Sequence, residues 1–236
     1  MNKINLSFKE IRNFQRSTLP IYTNYIVDPV SRIIVLFILK FQLSFKPYFY
    51  TYLGLLFAII SSYFFLKQNY IFGAVFFQIS LIFDCVDGYI ARIQNSGTIF
   101  GVLSDGFVDF LRVFLNLLAL FISLEGQPDI FNFFNIYIIY ILFENSINSC
   151  LKDCENYFKN RDIKKNFFDK KLIILKNKFQ KKNIRFIWFN SHEQYFLIFF
   201  VGPIVESVSF VVYTTIIISF VFLILKVFLN LASIKS

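Results

Sequence analysis

Six separate stretches of this sequence are apolar over about 20 residues, the length at which a helix crosses a hydrocarbon core of about 30 Å. They run over 47–66, 69–91, 98–124, 129–150, 190–206 and 208–231. Polar breaks divide them at Lys67-Gln68-Asn69, Gln94-Asn95-Ser96-Gly97 and Glu125-Gly126-Gln127-Pro128, and more weakly at Gly202, Pro203, Glu206 and Ser207. Hydrophobic residues make up 56% of the chain and charged residues 17%, with 35 Phe and 13 Tyr. Soluble domains carry about a quarter charged residues, and a soluble fold of this size could not hide so much apolar surface. The composition argues against an ordinary soluble enzyme and excludes a disordered chain. The reading is all-α: a polytopic membrane protein of six transmembrane helices. Its parts are a polar N-terminal segment 1–28, a membrane domain 29–231 and a tail 232–236. The first segment lacks the apolar core of a signal peptide. Cys85, Cys150 and Cys154 make neither a disulfide framework nor a four-ligand zinc site.

Orientation follows from where the cations fall. Segment 152–185 holds twelve Lys/Arg against four acids, a net +8 of the chain's formal +9. With the N-terminus inside, the cytoplasmic side receives Lys3, Lys9, Arg12, Arg16, Arg92 and that whole loop, whereas the outer side receives Lys67 alone. Both termini are therefore expected in the cytoplasm. The loop suits attraction to anionic lipid headgroups, or a plain solvated loop, better than nucleic acid, because the positive-inside rule already accounts for its cations. A seventh apolar stretch, 29–45, would invert this arrangement if it spanned. Asp28 and Pro29 read as its N-cap and first turn. Arg32 and Lys40 suit a helix lying in the interface with its cations reaching to headgroups.

Four acids fall inside this apolar frame: Asp84, Asp87, Asp105 and Asp109. Ionisable groups at such depth are costly and read first as functional. Spacings of three and four residues put each pair on one helix face. Asp84 lies about 12 Å before Arg92 and Asp105 about 10 Å into the third stretch, at 1.5 Å per residue. The two pairs can thus meet at one level near the cytoplasmic surface. Like charges in a low-dielectric site disfavour ionisation, and bound cations are the natural remedy. Oxygen ligands select hard ions such as Mg²⁺, Mn²⁺ or Ca²⁺. Two divalent ions would balance four carboxylates and resemble the sites that clamp phosphoryl groups. Protonated or helix-paired acids serving packing are the plain alternative.

Residues 84–109 read DCVDGYIARIQNSGTIFGVLSDGFVD. This resembles the CDP-alcohol phosphotransferase signature D-x₂-D-G-x₂-A-R-x₈-G-x₃-D-x₃-D, with matches at Asp84, Asp87, Gly88, Ala91, Arg92, Gly101, Asp105 and Asp109. Pro47 and Thr51 look like the start of that family's first span, with Tyr48 where the family has Asn. Six spans behind an interfacial helix are also similar to the family, over roughly 28–231.

The resemblance implies an integral membrane transferase that moves a phosphatidyl or phospho-alcohol group from a CDP-linked donor to an acceptor hydroxyl, releasing CMP. It implies that Asp84, Asp87 and Asp105 hold Mg²⁺ or Mn²⁺, two ions in all. Asp109 would be the base on the acceptor hydroxyl and a further metal ligand. An alcohol needs such a base, and charge building on phosphate oxygens needs cations nearby. Gly88, Ala91, Gly101 and Thr51 become candidate nucleotide contacts, although small residues also serve close helix packing. Arg92 is a candidate phosphate ligand or a positive-inside anchor. Arg112 could pair with the carboxylates or hold an anionic substrate, and pairing is the simpler reading. His192 and Glu193 open the fifth stretch about 100° apart on a helix, so at most one need face the site. Glu144 with Asn148 reads as interhelical glue or as acceptor-binding. The common variant joins CDP-diacylglycerol to inositol, glycerol 3-phosphate or serine. The reverse partition uses a small CDP-alcohol donor with a lipid or polyol acceptor. A cation or proton transporter is the alternative from another class. The resemblance further suggests a homodimer.

Overall fold

The structure, a computed structural model, describes residues 6–15, 19–43, 45–124, 135–141, 144, 147, 191–205 and 207–234. Regular structure among them is helical, as expected where lipid leaves the backbone no outside hydrogen-bond partner. In chain order the helices are α1 (Phe8–Ile11), α2 (Asp28–Lys40), α3 (Pro47–Leu66), α4 (Tyr70–Ile93), α5 (Ile99–Ser123), α6 (Ser191–Phe196) and α7 (Val208–Ile234). A helical piece at 135–141 lies between α5 and α6. Among the described residues four helices are long and apolar enough to cross a membrane: Pro47–Leu66, Tyr70–Ile93, Ile99–Ser123 and Val208–Leu225.

The polar breaks expected at 67–69 and 94–97 are helix stops of one kind. Gln42, Gln68 and Asn95 have φ of 54°, 58° and 47°. The residue after each returns its N–H to a carbonyl five residues back: Leu43 to Ile38, Asn69 to Phe64 and Ser96 to Ala91, at 2.9–3.0 Å. That is the left-handed cap which satisfies the last carbonyls of a helix. Pro47 opens α3 at its first turn, and Thr98 caps α5 by accepting the Gly101 N–H at 3.0 Å.

Antiparallel α3 and α4 pack closely, with α5 against α3. A Cβ at Gly54 would stand 3.2 Å from the Ser80 carbonyl oxygen and 3.6 Å from Arg112 Nη2, so only glycine fits that approach without displacement. Farther along, Ser61 Oγ donates to the Gly73 carbonyl at 2.7 Å and Asn116 Nδ2 to the Ala58 carbonyl at 3.1 Å. One core gathers Phe65, Phe77, Leu81 and Leu120 with Ile198, Phe199 and Val212. A second packs α1 and α2 onto α4 through Ile11, Val35, Ile38, Val86, Tyr89 and Ile90. Outward faces are apolar too: Ile99 on α5 is 83% exposed, with Phe100, Phe107 and Phe110 also outside, as befits helices solvated by lipid.

Two expectations need correction. Asp28 does not cap α2. A π-helical turn, Thr23–Val27, runs straight into it, and Asp28 lies in helical backbone with its carboxylate turned inward. Arg32 does not reach out to headgroups either; it is 8% exposed and donates from Nε to Asp28 Oδ2 at 2.9 Å. The pairing leaves Lys40 as the exposed cation of α2. The fifth stretch is α6, a π-helical turn Leu197–Val201 and a short helix Gly202–Ile204, of 6, 5 and 3 residues. Residues 152–185, Cys150, Cys154 and Asn148 lie outside the described residues.

Candidate active site

Helices α4 and α5 are joined by the short break at 94–97, so the end of one adjoins the start of the other. Asp84, Asp105 and Asp109 meet across this pair, each offering a ligand atom within 4.8 Å of the others. Their levels agree because α4 approaches the break from Asp84 while α5 leaves it through Asp105. Asp109 stands partly open, its side chain 48% exposed.

Arg112 closes the inner side of the cluster. Its Nη1 donates to Asp109 Oδ1 at 2.6 Å, its Nη2 to Asp84 Oδ1 at 3.0 Å and its Nε to Ser80 Oγ at 2.9 Å. The guanidinium is buried, and its planar fork suits two carboxylates at once. One residue therefore ties the two acid-bearing helices together, and charge pairing is its observed part. Ser80 was not singled out by sequence. It sits four residues before Asp84, so a polar residue in phase with the acids was the available signal. Gly54 was missed as well, although it is where α3 passes close to the Ser80 carbonyl, beside Arg112.

Asp87 stands apart from the three. It is buried, and its Oδ2 accepts the Thr51 hydroxyl proton at 2.6 Å. Thr51, itself buried, is thus engaged with an acid across the α3–α4 contact. Gly88 and Arg92 form a local unit. The Arg92 side chain folds back so that a Cβ at Gly88 would lie 3.2 Å from Nη1. Arg92 also stacks 5.2 Å from the Tyr89 ring centre and donates from Nε to the Phe14 carbonyl at 2.5 Å. The absent side chain at Gly88 accommodates that guanidinium. A Cβ at Gly101 would meet only Thr98 Oγ1, at 3.2 Å, in the first turn of α5. Ala91 is half-buried, and its carbonyl receives the Ser96 N–H at 3.0 Å.

His192 and Glu193 diverge, as their helical spacing requires. His192 comes close enough to Asp84 to interact electrostatically. Glu193 Oε1 instead accepts the Tyr22 N–H at 3.4 Å, on the side of the segment that precedes α2. Tyr22 stacks on Phe196 with ring centres 4.2 Å apart and donates its hydroxyl proton to Gln78 on α4. Tyr195 interacts electrostatically with both Asp109 and Glu144. Hence α6 borders the acid cluster through His192 and Tyr195.

The donor set is chemically selective. Asp84, Asp105 and Asp109 offer only carboxylate oxygens, and the buried Arg112 supplies a single compensating charge. Such a set fits a hard divalent cation. A model of the CDP-alcohol phosphatidyltransferase family matches residues 45–168, a little more than half of the chain and a span that holds all four aspartates. The chain belongs to the CDP-alcohol phosphatidyltransferase family. No individually curated protein matches it. Family membership makes the protein a transferase that moves a phosphatidyl group from a CDP-alcohol. A divalent-metal requirement is general in the CDP-alcohol phosphatidyltransferases.

Proposed function

We propose that this CDP-alcohol phosphatidyltransferase is a metal-dependent enzyme of phospholipid synthesis that joins CDP-diacylglycerol to the hydroxyl of a small alcohol and releases CMP. The observation that carries the reading is the convergence of Asp84, Asp105 and Asp109 within 4.8 Å across two apolar helices. Asp84 and Asp105, joined by Asp87 from the same face of α4, would hold Mg²⁺ or Mn²⁺, two ions in the full site. Bound there, the metal would neutralise charge building on the donor pyrophosphate. Asp109, more open than Asp84, takes the proton of the acceptor hydroxyl. The alcohol oxygen then bonds to phosphorus as the bond to CMP breaks, and CMP departs with the electron pair. Arg112 fixes Asp109 and Asp84 relative to each other, which is the positioning such a displacement needs. Gly88, Ala91, Arg92 and Gly101 border the donor side, with Arg92 as the candidate phosphate ligand.

In this reading the four long helices, the partly described stretch 129–150 and the run from α6 to Ile204 make six spans, and α2 lies in the interface. Membrane lipids surround domain 29–231, two copies associate, and the acid cluster faces the cytoplasm with both termini. Acids gathered toward one end of their helices suit interfacial chemistry better than the midplane site of a transporter.

The test uses purified protein in detergent or vesicles with Mg²⁺ or Mn²⁺, CDP-diacylglycerol and a panel of alcohols, followed by CMP release and lipid mass. Chelation should stop turnover and either metal should restore it. Asp109→Asn should keep the melting behaviour of the native protein and lose CMP release by about a hundredfold or more. Normal turnover in Asp109→Asn would overturn the base assignment. Activity confined to a small CDP-alcohol would reverse the donor.

A further inference from the structure

Helix α2 has two faces. Ser31, Arg32, Val35 and Ile38 turn inward and are buried, with Val35 and Ile38 packed onto α4. Ile33 and Phe37 stand two residues to either side of Val35 and so point about 200° away from it; they are 47% and 56% exposed. Lys40 follows Phe37 by three residues and Ile33 by seven, which puts it on the same outer face. Leu6 and Ser7, at the start of α1, run beside this face. Between the two walls lies an open groove of about 560 Å³, lined by Leu6 and Ser7 and by Ile33, Leu36, Phe37 and Lys40. That volume falls within the range of sites that hold small molecules, about 300–1,000 Å³. From Ile33 to Lys40 the groove follows α2 for about 10 Å, at 1.5 Å per residue.

The chemistry of the groove is uneven along its length. Leu6, Ile33, Leu36 and Phe37 offer hydrocarbon alone. Ser7 directs its N–H and its hydroxyl to Glu10 Oε2, each at 2.7 Å, and its oxygen accepts the Glu10 N–H at 3.3 Å. That capping box engages the one neutral polar side chain of the lining. Lys40 is the charged group there, at the end of α2 beside the exposed Phe41 and Leu43. It has no ion pair among the described residues. On α1 and the turn after it, Lys9 and Arg12 are exposed as well, against Glu10, whose carboxylate is held at Ser7. A hydrocarbon slot with a cation at one end is complementary to an acyl chain with an anionic head.

We propose that this groove is a lipid site, separate from the acid cluster, that takes one acyl chain of an anionic glycerophospholipid whose phosphate pairs with Lys40. The proposal rests on the interfacial placement of α2 and not on the transfer chemistry, since α2 turns its other face to α4. A chain in the slot covers the exposed Ile33 and Phe37. Lysine lays its stem along apolar surface and carries its ammonium to the depth of the phosphates, where each cation adds to the attraction for acidic lipid. A zwitterionic lipid fills the same slot but brings a cation of its own toward Lys40. A soluble phosphate ester finds one lysine and no hydrocarbon to bury.

The experiment titrates the full chain in a neutral detergent with dioctanoyl phosphatidylglycerol, dioctanoyl phosphatidylcholine or glycerol 3-phosphate. It reads thermal unfolding and the lipid retained in native mass spectra. Phosphatidylglycerol should raise the melting temperature and bind about fivefold more weakly to Lys40→Gln, whose affinity for phosphatidylcholine stays native. Ile33→Trp fills the slot from an exposed position and should lose retained lipid of both kinds. CMP release from CDP-diacylglycerol should be native in Lys40→Gln. Equal affinity of the native chain for the two lipids would overturn the proposal. So would an unchanged phosphatidylglycerol affinity in Lys40→Gln, a surface replacement that leaves the packing alone. Glycerol 3-phosphate that protects as well as the lipid would assign Lys40 to a free phosphate and reject the lipid. A raised KM for CDP-diacylglycerol in Lys40→Gln would make the groove part of the donor site. A changed oligomeric mass in Ile33→Trp with lipid retention intact would give the groove to a second copy. Either result refutes a separate lipid site. The placement of α2 has its own readout in Phe41→Trp, made in a Trp188→Phe chain and reconstituted with brominated lipid. Quenching there, with lipid binding indifferent to Lys40 and Ile33, would keep the placement and sink the groove. An unquenched Phe41→Trp would sink both.

Discussion

Thr51 Oγ1 on α3 lies 2.6 Å from Asp87 Oδ2 on α4, in a hydrogen bond buried at both ends. The Thr51 hydroxyl has one proton to give, and its 3.4 Å contact with the Pro47 carbonyl is the weaker claim on it. Pro47 sets the start of α3, so the register of that helix delivers the hydroxyl to the second acid of the signature. A short bond to a carboxylate is charge-assisted and about twice as strong as a neutral one. Thr51 thereby determines which way Asp87 points.

Replacing Thr51 by Val keeps the shape and removes the donor. A hydrogen bond to a charged group contributes about 1.5–3 kcal/mol, so Thr51→Val should lower CMP release about tenfold and raise the Mg²⁺ concentration for half-maximal activity. Thr51→Ser keeps the hydroxyl and should stay near native. Identical metal activation curves for native and Thr51→Val proteins would show that Asp87 does not depend on this bond.

Arg112 makes a second prediction, on stability rather than rate. Arg112→Leu leaves Asp84 and Asp109 facing each other without their shared guanidinium, a loss of about 3–5 kcal/mol for a broken buried pair. Its melting temperature in detergent should fall, and Mg²⁺ should raise it by more than in the native protein, because the ion would relieve repulsion that Arg112 otherwise offsets. Arg112→Lys keeps the charge but loses the fork and should fall between the two. A Leu variant that melts like the native protein, with or without Mg²⁺, would remove Arg112 from the account of the site.

Scarcity made the acids legible in the sequence. Within stretches that are otherwise apolar, Asp84, Asp105 and Asp109 had to be either functional or paired, and their spacing gave the shared face. Helix stops after Leu66 and Ile93 were legible from polar breaks, although the left-handed residues there are Gln68 and Asn95 rather than glycine. Periodicity gives the face of a residue but not the helix opposite, so neither the pairing of Thr51 with Asp87 nor that of Ser80 with Arg112 could be read. Asp28 was misread for a related reason. An acid before a proline has the composition of a cap, and only the π-helical turn ahead of it shows that the helix has already begun. Gln194 and Tyr195 carried no motif, and Gln194 is placed by its 3.1 Å hydrogen bond from Nε2 to Glu144 Oε2, a pairing that periodicity could not show.

Tyr89 provides the last prediction. It follows Asp87 and Gly88 in the signature, yet at about 100° per residue it points some 200° around α4 from Asp87. Its hydroxyl donates to Asp28 Oδ1 at 2.5 Å, while Arg32 Nε occupies Asp28 Oδ2 at 2.9 Å and the Arg32 guanidinium rests 4.3 Å above the Phe8 ring. The acid-bearing helix is therefore latched on its back face to α2 and α1. Both Asp28 oxygens are engaged, so the pieces should not contribute independently. Tyr89→Phe removes one donor from a carboxylate that keeps its cation, a loss of about 1–3 kcal/mol. Asp28→Leu strands Arg32 and should cost about 3–5 kcal/mol. Removing both charges in Asp28→Leu/Arg32→Leu should be less damaging than Asp28→Leu alone, since no buried charge is then left without a partner. A double-mutant cycle on melting in detergent measures that coupling. Additive losses would mean that Asp28 and Arg32 act separately, with α2 held to α4 by the Tyr89–Asp28 and Ser31–Ile82 hydrogen bonds and by the apolar contacts of Val35, Ile38, Val86 and Ile90.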